Sequence, residues 1–453
     1  MSSSTISPLD NRYLKQVYPY TCFSEFSLFK HRVLIEIEYL TFLSKYGIIN
    51  LSKEEAGKLR EIYENFSEED YQSIKEFEES LRHDVKAVEY FLAAKLKSLG
   101  LEKLVPFLHF GLTSEDINNL AYSLMLKTGL RHYLSELEKL ILEIKKLALK
   151  WKDVVILGFT HGQKAVPTTL GKEFANYYYR FRNEYRKLRG KKLIGKLNGA
   201  VGNYNALAFA YPEIDWINFS KEFIEHLGLK PVFLTTQILP HEDISDLLHT
   251  IVRINNIVID FSRDMWLYIS MEYFKLRTGR NEVGSSTMPQ KVNPIDFENA
   301  EGNVEFANGI LLTMASKLQI SRLQRDLSDS TVKRNYGVGL AHSYLALKSL
   351  RKGLKKIEPN FEKIKRDLDE NWQVLGEAVQ TLLRKYGYPE AYEKTLELFK
   401  GRTRLTKEEY FNLIEKLEVS AEVKEKLLKL TPKKYIGLSR VLVEKFLETT
   451  DSE

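Results

Sequence analysis

Cysteine is almost absent from this sequence of 453 residues, which contains only Cys22. A single thiol excludes a disulfide within the chain and any zinc site built from several cysteines. Scarce cysteine is typical of proteins in a reducing compartment, so we expect a cytoplasmic protein. Residues 1–13 also lack a basic segment followed by an apolar one, and we therefore expect no signal peptide.

Long apolar runs are missing too, because none approaches the ~20 residues that cross a bilayer. We expect no membrane-spanning segment and no membrane partner. Neither a GxGxxG motif nor a P-loop occurs, so two common phosphate-binding loops are excluded. The 67 basic and 61 acidic residues give a formal net charge of +6. That small excess does not favour nucleic acid as a partner, but it suits a small anionic substrate if arginines cluster.

Strand patterns are equally scarce, and residues 154–157 form the only short β-branched run. Apolar residues instead recur at helical spacing through most of the chain. Ser52 with Glu55, and Thr406 with Glu409, are capping boxes that predict helix starts. Thr431 before Pro432 predicts another helix start. The remaining predicted helices cover 25–46, 84–99, a long segment from Ser114 through 147, 165–190, 242–275, 296–317 and a segment starting near Asp329.

These patterns predict an all-α protein whose first helical domain ends near residue 110 and whose central helices are longer. The expected domains are 1–111, 112–354 and 355–453. The predicted helix 242–275 is apolar on more than one face. Such a helix is buried in a large bundle or against other subunits, so we expect a bundle completed across a homo-oligomer.

One stretch, 279–294, lies between two long helical segments and cannot continue either of them. Its sequence, GRNEVGSSTMPQKVNP, contains two glycines, two prolines and three hydroxyl residues. Proline removes a backbone N–H and glycine loosens the chain, which ends a helix. Small, mobile segments of this kind are suited to closing over a site. The alternative is a solvated surface loop.

Five further stretches combine charged, hydroxyl or imidazole side chains. They are 12–13 (RY), 82–86 (RHDVK), 111–116 (GLTSED), 160–163 (THGQ) and 321–335 (SRLQRDLSDSTVKRN). Taken singly, each has an ordinary interpretation: an exposed pair, a helix start, an N-cap, a structural histidine and a charged turn. The N-terminus at Thr113 could also hold an anion, because free N–H groups and the helix dipole favour negative charge there. The histidine of 160–163 is expected just before a helix start that contains a proline.

Taken together and in this order, the stretches resemble the adenylosuccinate lyase family, and its bacterial subgroup in particular. The loop at 285–294 resembles the signature of the wider fumarase/aspartase superfamily. The resemblance extends over nearly the whole chain through RY at 12–13, HDVK at 83–86, TSED at 113–116, NGAVGNYN at 198–205, TTQ at 235–237 and QRD at 324–326. One departure is Lys164, where proline is common; it adds a positive charge near the histidine at 161.

The resemblance implies three helical domains in a homotetramer, with each active site shared between subunits. It implies β-elimination of fumarate from adenylosuccinate, giving AMP, and from the succinyl-carboxamide ribotide of purine biosynthesis, giving AICAR. The implied partner is therefore a small-molecule nucleotide. The resemblance implies no metal and no organic cofactor.

It also implies roles for individual residues. Ser285 would be the base, activated as an alkoxide in a closed loop, and His161 the general acid held by Glu298. Lys291 and Asn293 would hold the carboxylate beside which charge develops. His83 would orient the substrate on its phosphate side. The other implied substrate-binding residues are Arg12, Tyr13, Arg82, Asp84, Thr113, Ser114, Thr160, Gln237, Arg325, Ser330 and Arg334.

Two alternatives remain open at this point. Argininosuccinate lyase, fumarase and aspartase share the loop, but their substrates carry no phosphate. They have no need of Arg325, Ser330 and Arg334, which could converge on a phosphate because guanidinium presents forked donors. A helical structural or binding protein on the same scaffold is the second alternative, which loss of Ser285, His161 or Lys291 would favour; all three are present.

Overall fold

The structure is a computed structural model that describes residues 5–277, 288 and 291–448. It is mainly helical, as the sequence predicts. The helices of the first half are α1 Leu14–Val17, α2 Glu25–Lys45, α3 Lys53–Glu64, α4 Glu68–Leu81, α5 Asp84–Ser98, α6 Ser114–Lys150, α7 Leu170–Arg189, α8 Asn205–Ala210 and α9 Trp216–His226. Short 3-10 helices occupy Pro8–Asp10, Tyr18–Phe23 and Glu102–Phe107.

The second half begins with α10 Glu242–Ser270 and α11 Ile295–Lys317, on either side of the 279–294 stretch. The helices that follow are α12 Ser328–Lys333, α13 Tyr336–Leu354, α14 Phe361–Asp369, α15 Gly376–Lys385, α16 Ala391–Phe399, α17 Lys407–Glu415, α18 Ala421–Leu428 and α19 Ser439–Glu448. Two more 3-10 helices cover Trp372–Leu375 and Pro432–Lys434.

The described ranges also contain three two-stranded sheets. Antiparallel β1 Val155–Thr160 and β2 Gln163–Thr169 form a hairpin with a register shift between Leu157 and Phe159. The other pairs are parallel β3 Ile194–Gly195 with β4 Lys230–Pro231, and antiparallel β5 Phe274–Leu276 with β6 Ile357–Pro359. The all-α prediction is therefore correct for the bulk of the chain and misses these short ribbons.

Locally encoded helix starts are confirmed. Ser52 accepts from the backbone N–H of Glu55, whose carboxylate returns a contact to the backbone N–H of Ser52. Thr406 and Glu409 form the same reciprocal box. Thr431 caps the short 3-10 helix that begins at Pro432. A further capping box, at Ser67 and Asp70, opens α4, a helix that the sequence reading missed.

Two predicted boundaries are wrong. The helix expected over 165–190 begins only at Leu170, because residues 163–169 pair with β1 as a strand. The helix expected over 242–275 ends at Ser270, because Phe274 pairs with Pro359 in the ribbon of β5 and β6. In both places the tertiary pairing overrides a local helical pattern.

The chain divides into two compact units that each draw on three separate segments. Unit 1 comprises 1–137, 184–256 and 302–347, and unit 2 comprises 138–183, 257–301 and 348–453. The predicted division into three consecutive domains stays a prediction.

In unit 1, α2 packs its aromatic side chains against α9. Tyr39 and Phe42 lie edge-on to Phe219 and Phe223, with ring centroids 5.1–6.0 Å apart. Edge-to-face pairs at this spacing contribute beyond their buried area, which fixes α2 at a defined angle.

In unit 2, the C-terminal helices have a core of their own around Trp372, Leu375, Tyr410 and Ile414. The ring centroids of Trp372 and Tyr410 lie 5.3 Å apart.

Within the described ranges, no helix has both the length and the apolar composition needed to cross a membrane.

Candidate active site

The N-terminus of α6 is held by a carboxylate buried in unit 1. Asp116 accepts the backbone N–H of Thr113 at 2.9 Å and that of Gly199 at 3.1 Å. Its Oδ1 also lies 2.9 Å from the ammonium of Lys196, and both side chains are fully buried. Lys196 donates in turn to Asn198 at 3.0 Å. This network ties the TSED segment to the glycine-containing loop after β3, so the two motifs form one structural element.

The same network extends to the TTQ segment. The Asn198 carboxamide donates to Thr235 Oγ1 at 2.8 Å. Gln237 donates to the carbonyl of Ala200 at 2.9 Å and accepts from Arg325 Nη1 at 2.9 Å. Three segments that are distant in sequence, 113–116, 198–205 and 235–237, therefore meet at one place in unit 1.

Arg325 lies just before α12 and is largely shielded from solvent. Its Nη2 donates to Ser330 Oγ at 3.2 Å, and its Nη1 lies 3.3 Å from Glu115 Oε2. Buried Lys333, in the last turn of α12, lies 2.8 Å from Glu115 Oε1 and 2.7 Å from Asp329 Oδ2. Burial lowers the pKa of Lys333, but the two carboxylates outweigh it and hold that pKa above its usual value.

His83 occupies the N-cap of α5, where its Nδ1 accepts the backbone N–H of Lys86 at 3.2 Å. Because Nδ1 accepts, the neutral ring carries its proton on Nε2, which leaves a donor for a ligand. The ring is half exposed. Arg82 adopts a left-handed conformation, with φ of 52°, at the end of α4.

Asp84 is engaged within the chain by Arg32 of α2, at 2.6 Å. Burial raises the pKa of Asp84, but the Arg32 guanidinium lowers it more, so the pKa lies below its usual value. The implied role of Asp84 in substrate binding stays a prediction.

Arg12 is exposed, and its guanidinium lies 5.8 Å from the centre of the Tyr13 ring. In the described part of a single chain, no hydrogen bond or ion pair joins Arg12 or His83 to the cluster around Arg325. Arg334 is exposed at the end of α12.

In unit 2, His161 occupies the tip of the hairpin between β1 and β2. Thr160 pairs with Gln163, and the two residues between them have φ of 51° for His161 and 72° for Gly162. Two successive positive φ values match the two-residue hairpin turn that usually carries Asn-Gly. Thr160 and His161 are exposed there. The imidazole therefore lies on a hairpin turn, and the prediction that a helix starts just after it is wrong. Pro167, the proline expected in that helix, lies in β2.

Lys164, the departure noted in the sequence, has a partner away from the hairpin tip. Its ammonium donates to the buried Asn371 carboxamide at 3.0 Å, in the C-terminal part of unit 2. The positive charge expected beside His161 is therefore tethered to the C-terminal helices.

Of the signature loop, Ser285 lies outside the described residues, and Lys291 and Asn293 lie within them. Lys291 is exposed, and its backbone N–H donates to the carbonyl of Met288 at 3.0 Å. Glu298, in the first turn of α11, accepts the indole N–H of Trp266 at 3.1 Å. Within the described part of a single chain, Glu298 does not contact His161, its implied partner.

Two family descriptions match the chain. "Lyase" matches residues 42–306, and "Adenylosuccinate lyase C-terminal" matches residues 321–436. The chain is 48% identical over 449 residues to adenylosuccinate lyase of Haemophilus influenzae, and 46% identical over 450 residues to that of Escherichia coli. Each alignment covers 98% of both proteins. The chain belongs to the adenylosuccinate lyase family. It is a lyase, as the sequence predicts.

Solved structures support the fold of this adenylosuccinate lyase family member. A fumarate lyase from Mesorhizobium sp. BNC1 matches with a TM-score of 0.79 at 18% identity, covering 96% of this chain and 98% of that one. The 3-carboxy-cis,cis-muconate lactonizing enzyme from Pseudomonas putida matches with a TM-score of 0.80 at 20% identity, covering 98% of each. At such low identity the likeness establishes the fold alone.

The sequence reading missed the buried charges that support the family motifs. Lys196, Lys333, Asp329 and Glu115 were assigned no role. Arg325, Asp329 and Lys333 are spaced four residues apart, a spacing that predicts ion pairs on a helix. The pairs of Asp329 with Arg325 and Lys333 could therefore have been predicted from the sequence. Within the described ranges, no group of three or more His, Cys, Asp or Glu side chains is arranged to hold a metal ion.

His241 is a second buried group that the sequence reading missed. The ring is 3% exposed, and neither nitrogen has a hydrogen-bond partner among the described residues. It lines a cavity of about 470 Å³ together with Thr235, Thr236, Leu318 and Ser321. Burial, assisted by the charge of Lys333, lowers the pKa of His241 from 6.5 to about 3. The imidazole is therefore neutral in the folded protein at pH 7.

This burial predicts a loss of stability in mild acid. The unfolded chain takes up a proton at His241 near pH 6.5 and the folded chain only near pH 3, so stability falls as pH decreases between these values. Each pH unit in that window costs about 1.4 kcal/mol of unfolding free energy. His241→Gln removes this contribution, so the thermal midpoint of the variant should fall less than that of the parent between pH 7 and pH 5. The exposed His249→Gln is the control; identical pH slopes for parent and His241→Gln would contradict the argument.

Proposed function

We propose that this chain catalyses β-elimination of fumarate from adenylosuccinate, giving AMP, and from the succinyl-carboxamide ribotide of purine biosynthesis, giving AICAR. The observation that carries the proposal is the convergence of Arg325, Ser330 and Gln237. A forked guanidinium and a hydroxyl beside a helix start are suited to a phosphate, because both donate to its oxygens. Family membership supplies the reaction class.

The elimination needs a base, a site for a developing dianion, and an acid for the leaving nitrogen. We assign Ser285 as the base that removes the proton from the carbon beside the carboxylate. Lys291 and Asn293 would stabilise the resulting carbanion by donating to that carboxylate as charge builds on it. His161 would then protonate the leaving nitrogen as the carbon–nitrogen bond breaks, with Glu298 holding the imidazole.

The hairpin geometry supports the assignment of the acid. An exposed imidazole on a two-residue turn has few contacts that would bury either nitrogen, so it can approach a bound substrate. A positive φ at a residue other than glycine costs of order 1–3 kcal/mol, and such conformations cluster at functional sites. His161, with φ of 51°, meets that description.

On the substrate side, we assign His83 to orient the nucleotide through the Nε2 proton that its capping contact leaves available. Thr113, Ser114 and Gln237 would bind the succinyl part. Arg12, Tyr13, Arg82, Asp84, Thr160 and Arg334 complete the proposed set. No metal and no organic cofactor takes part in the proposed reaction.

We further propose a cytoplasmic homotetramer with three domains per chain and active sites shared between subunits. Large apolar side chains on the long helices support assembly: Trp266 and Leu267 on α10 are 43% and 49% exposed, and Phe306 and Leu312 on α11 are 58% and 45% exposed. Exposed apolar residues concentrated on long helices are typical of faces covered by another subunit. Sedimentation equilibrium tests this, since a tetramer has about four times the 52.7 kDa mass of the chain.

Substituting Arg325 by Lys should weaken substrate binding. Lysine keeps the charge but loses the fork, which holds Gln237 and Ser330 at 2.9 and 3.2 Å. Losing hydrogen bonds to a charged group costs about 1.5–3 kcal/mol, so KM for adenylosuccinate should rise about 10- to 100-fold. A lower kcat should accompany it, because remote binding energy helps to position the reacting carbon. Steady-state kinetics measures both constants.

Arg322→Lys is the matched control, because the Arg322 side chain is 84% exposed, and its KM should match the parent. AMP should inhibit the parent competitively, and arginine and ammonium should not. An unchanged KM in Arg325→Lys would overturn the assignment of Arg325 and Ser330 to the substrate phosphate, and with it the substrate assignment.

A further inference from the structure

The buried ammonium of Lys333 is used by none of the proposed catalytic steps. Lys333 is 3% exposed, and its Nζ lies 2.8 Å from Glu115 Oε1 and 2.7 Å from Asp329 Oδ2. Removing an ammonium from water costs several kcal/mol unless close partners compensate it. Glu115 and Asp329 are themselves 1% and 2% exposed, so all three charges depend on one another.

Arg325 closes this group into a neutral cluster of two cations and two carboxylates. Its Nη1 lies 3.3 Å from the second oxygen of Glu115, and its Nη2 lies 4.0 Å from Asp329 Oδ1. Each carboxylate thus faces both Arg325 and Lys333. His241 also lies near Asp329 and Lys333, but its imidazole is neutral at pH 7 and leaves the balance unchanged.

The net charge of this cluster determines how strongly the Arg325 guanidinium can attract an anionic ligand. Without Lys333, the Arg325 guanidinium would be the only cation among the described residues that is paired with the two buried carboxylates. Their attraction would draw it inward, away from Ser330 and Gln237, and would offset the charge available to an incoming anion. With Lys333 present, its buried ammonium neutralises part of the negative charge of Glu115 and Asp329. Arg325 then remains 15% exposed beside the Ser330 hydroxyl.

We propose that Lys333 is a positioning residue for nucleotide binding, which neutralises Glu115 and Asp329 so that Arg325 and Ser330 stay directed at the substrate phosphate. The inference rests on the proposed function, since it takes Arg325 and Ser330 as the phosphate ligands. Lys333 does not itself touch the substrate, because its ammonium is buried against the two carboxylates. Its effect should therefore be largest for ligands that carry a phosphate.

The test compares two substrates in the full-length protein: adenylosuccinate and the same succinylated nucleoside without its phosphate. In Lys333→Met, which keeps most of the length of the side chain and removes the charge, KM for adenylosuccinate should rise about tenfold with a smaller change in kcat. The inhibition constant of AMP should rise in parallel. For the nucleoside without phosphate, kcat/KM should fall much less than for adenylosuccinate; some loss is expected because Arg325 also holds Gln237, which is assigned to the succinyl part. The exposed Lys192→Met should change kcat/KM for neither substrate.

The double variant Glu115→Gln/Lys333→Met removes one carboxylate together with the ammonium, so the cluster is neutral again. It should recover most of the affinity for AMP and adenylosuccinate that Lys333→Met loses. If Lys333→Met does not fold, the double variant still tests the inference. Equal losses for both substrates in Lys333→Met would indicate a merely structural role and overturn the inference. So would a double variant that binds AMP no better than Arg325→Lys. If Arg325→Lys also leaves KM unchanged in the same assay, the proposed function fails instead, which separates the two results.

Discussion

Replacing Ser285 by alanine should reduce kcat by about 10²–10⁴-fold or more, while folding and substrate binding stay close to those of the parent. A general base contributes about this factor, and the proposed mechanism assigns that role to Ser285 alone. KM should change little, because the Ser285 alkoxide accepts the proton in the transition state and the side chain adds little to ground-state binding.

Ser286→Ala is the matched control, since it removes an identical hydroxyl one residue away. It should lower kcat much less than Ser285→Ala. Circular dichroism and AMP binding verify that both variants fold and hold ligand. A purified Ser285→Ala protein with near-normal kcat, or a larger loss in Ser286→Ala, would show that the base is assigned to the wrong residue.

Replacing Lys196 by methionine should cause the largest loss of stability among the substitutions considered. The variant leaves the Asp116 carboxylate buried without its cation, and breaking a buried pair in this way costs about 3–5 kcal/mol. The thermal midpoint should therefore fall by several degrees. KM should rise as well, because Asp116 holds the backbone of Thr113 and Gly199 together.

The exposed Lys192, just before β3, gives the control: Lys192→Met should change the unfolding free energy by less than about 0.5 kcal/mol. Adding Asp116→Asn to Lys196→Met removes the uncompensated charge and should return part of the stability. A Lys196→Met protein as stable as the parent at pH 7 would mean that the buried pair does not hold the two segments together.

Features set by neighbouring residues could be predicted from the sequence, and features set by distant pairing could not. The capping boxes at Ser52 and Thr406 need only residues three apart, and both are confirmed. The end of α10 depends on residues 274–276 pairing with 357–359, a contact that no local pattern contains. Helical periodicity therefore located the long central helices, misplaced two of their ends and missed α4.

The candidate site shows the same division. Motif order identified the family, and the structure brings Gln237, Arg325 and Ser330 together. The hairpin at His161 was missed because its turn carries His-Gly in place of the usual Asn-Gly, and because Pro167 suggested a helix start. The four-residue spacing of Asp329 and Lys333 could predict their ion pair from the sequence. The ion pair of Glu115 with Lys333 joins residues 218 positions apart, so no local spacing could predict it.

The central claim is that adenylosuccinate is the substrate, and the most direct test is the ultraviolet absorbance of purified protein incubated with it. The account predicts saturable turnover that yields one fumarate and one AMP per adenylosuccinate consumed. Argininosuccinate, malate and aspartate, supplied at the same concentrations, should give no comparable rate. Absence of turnover with adenylosuccinate, or an equal rate with any of the other three, would contradict the account.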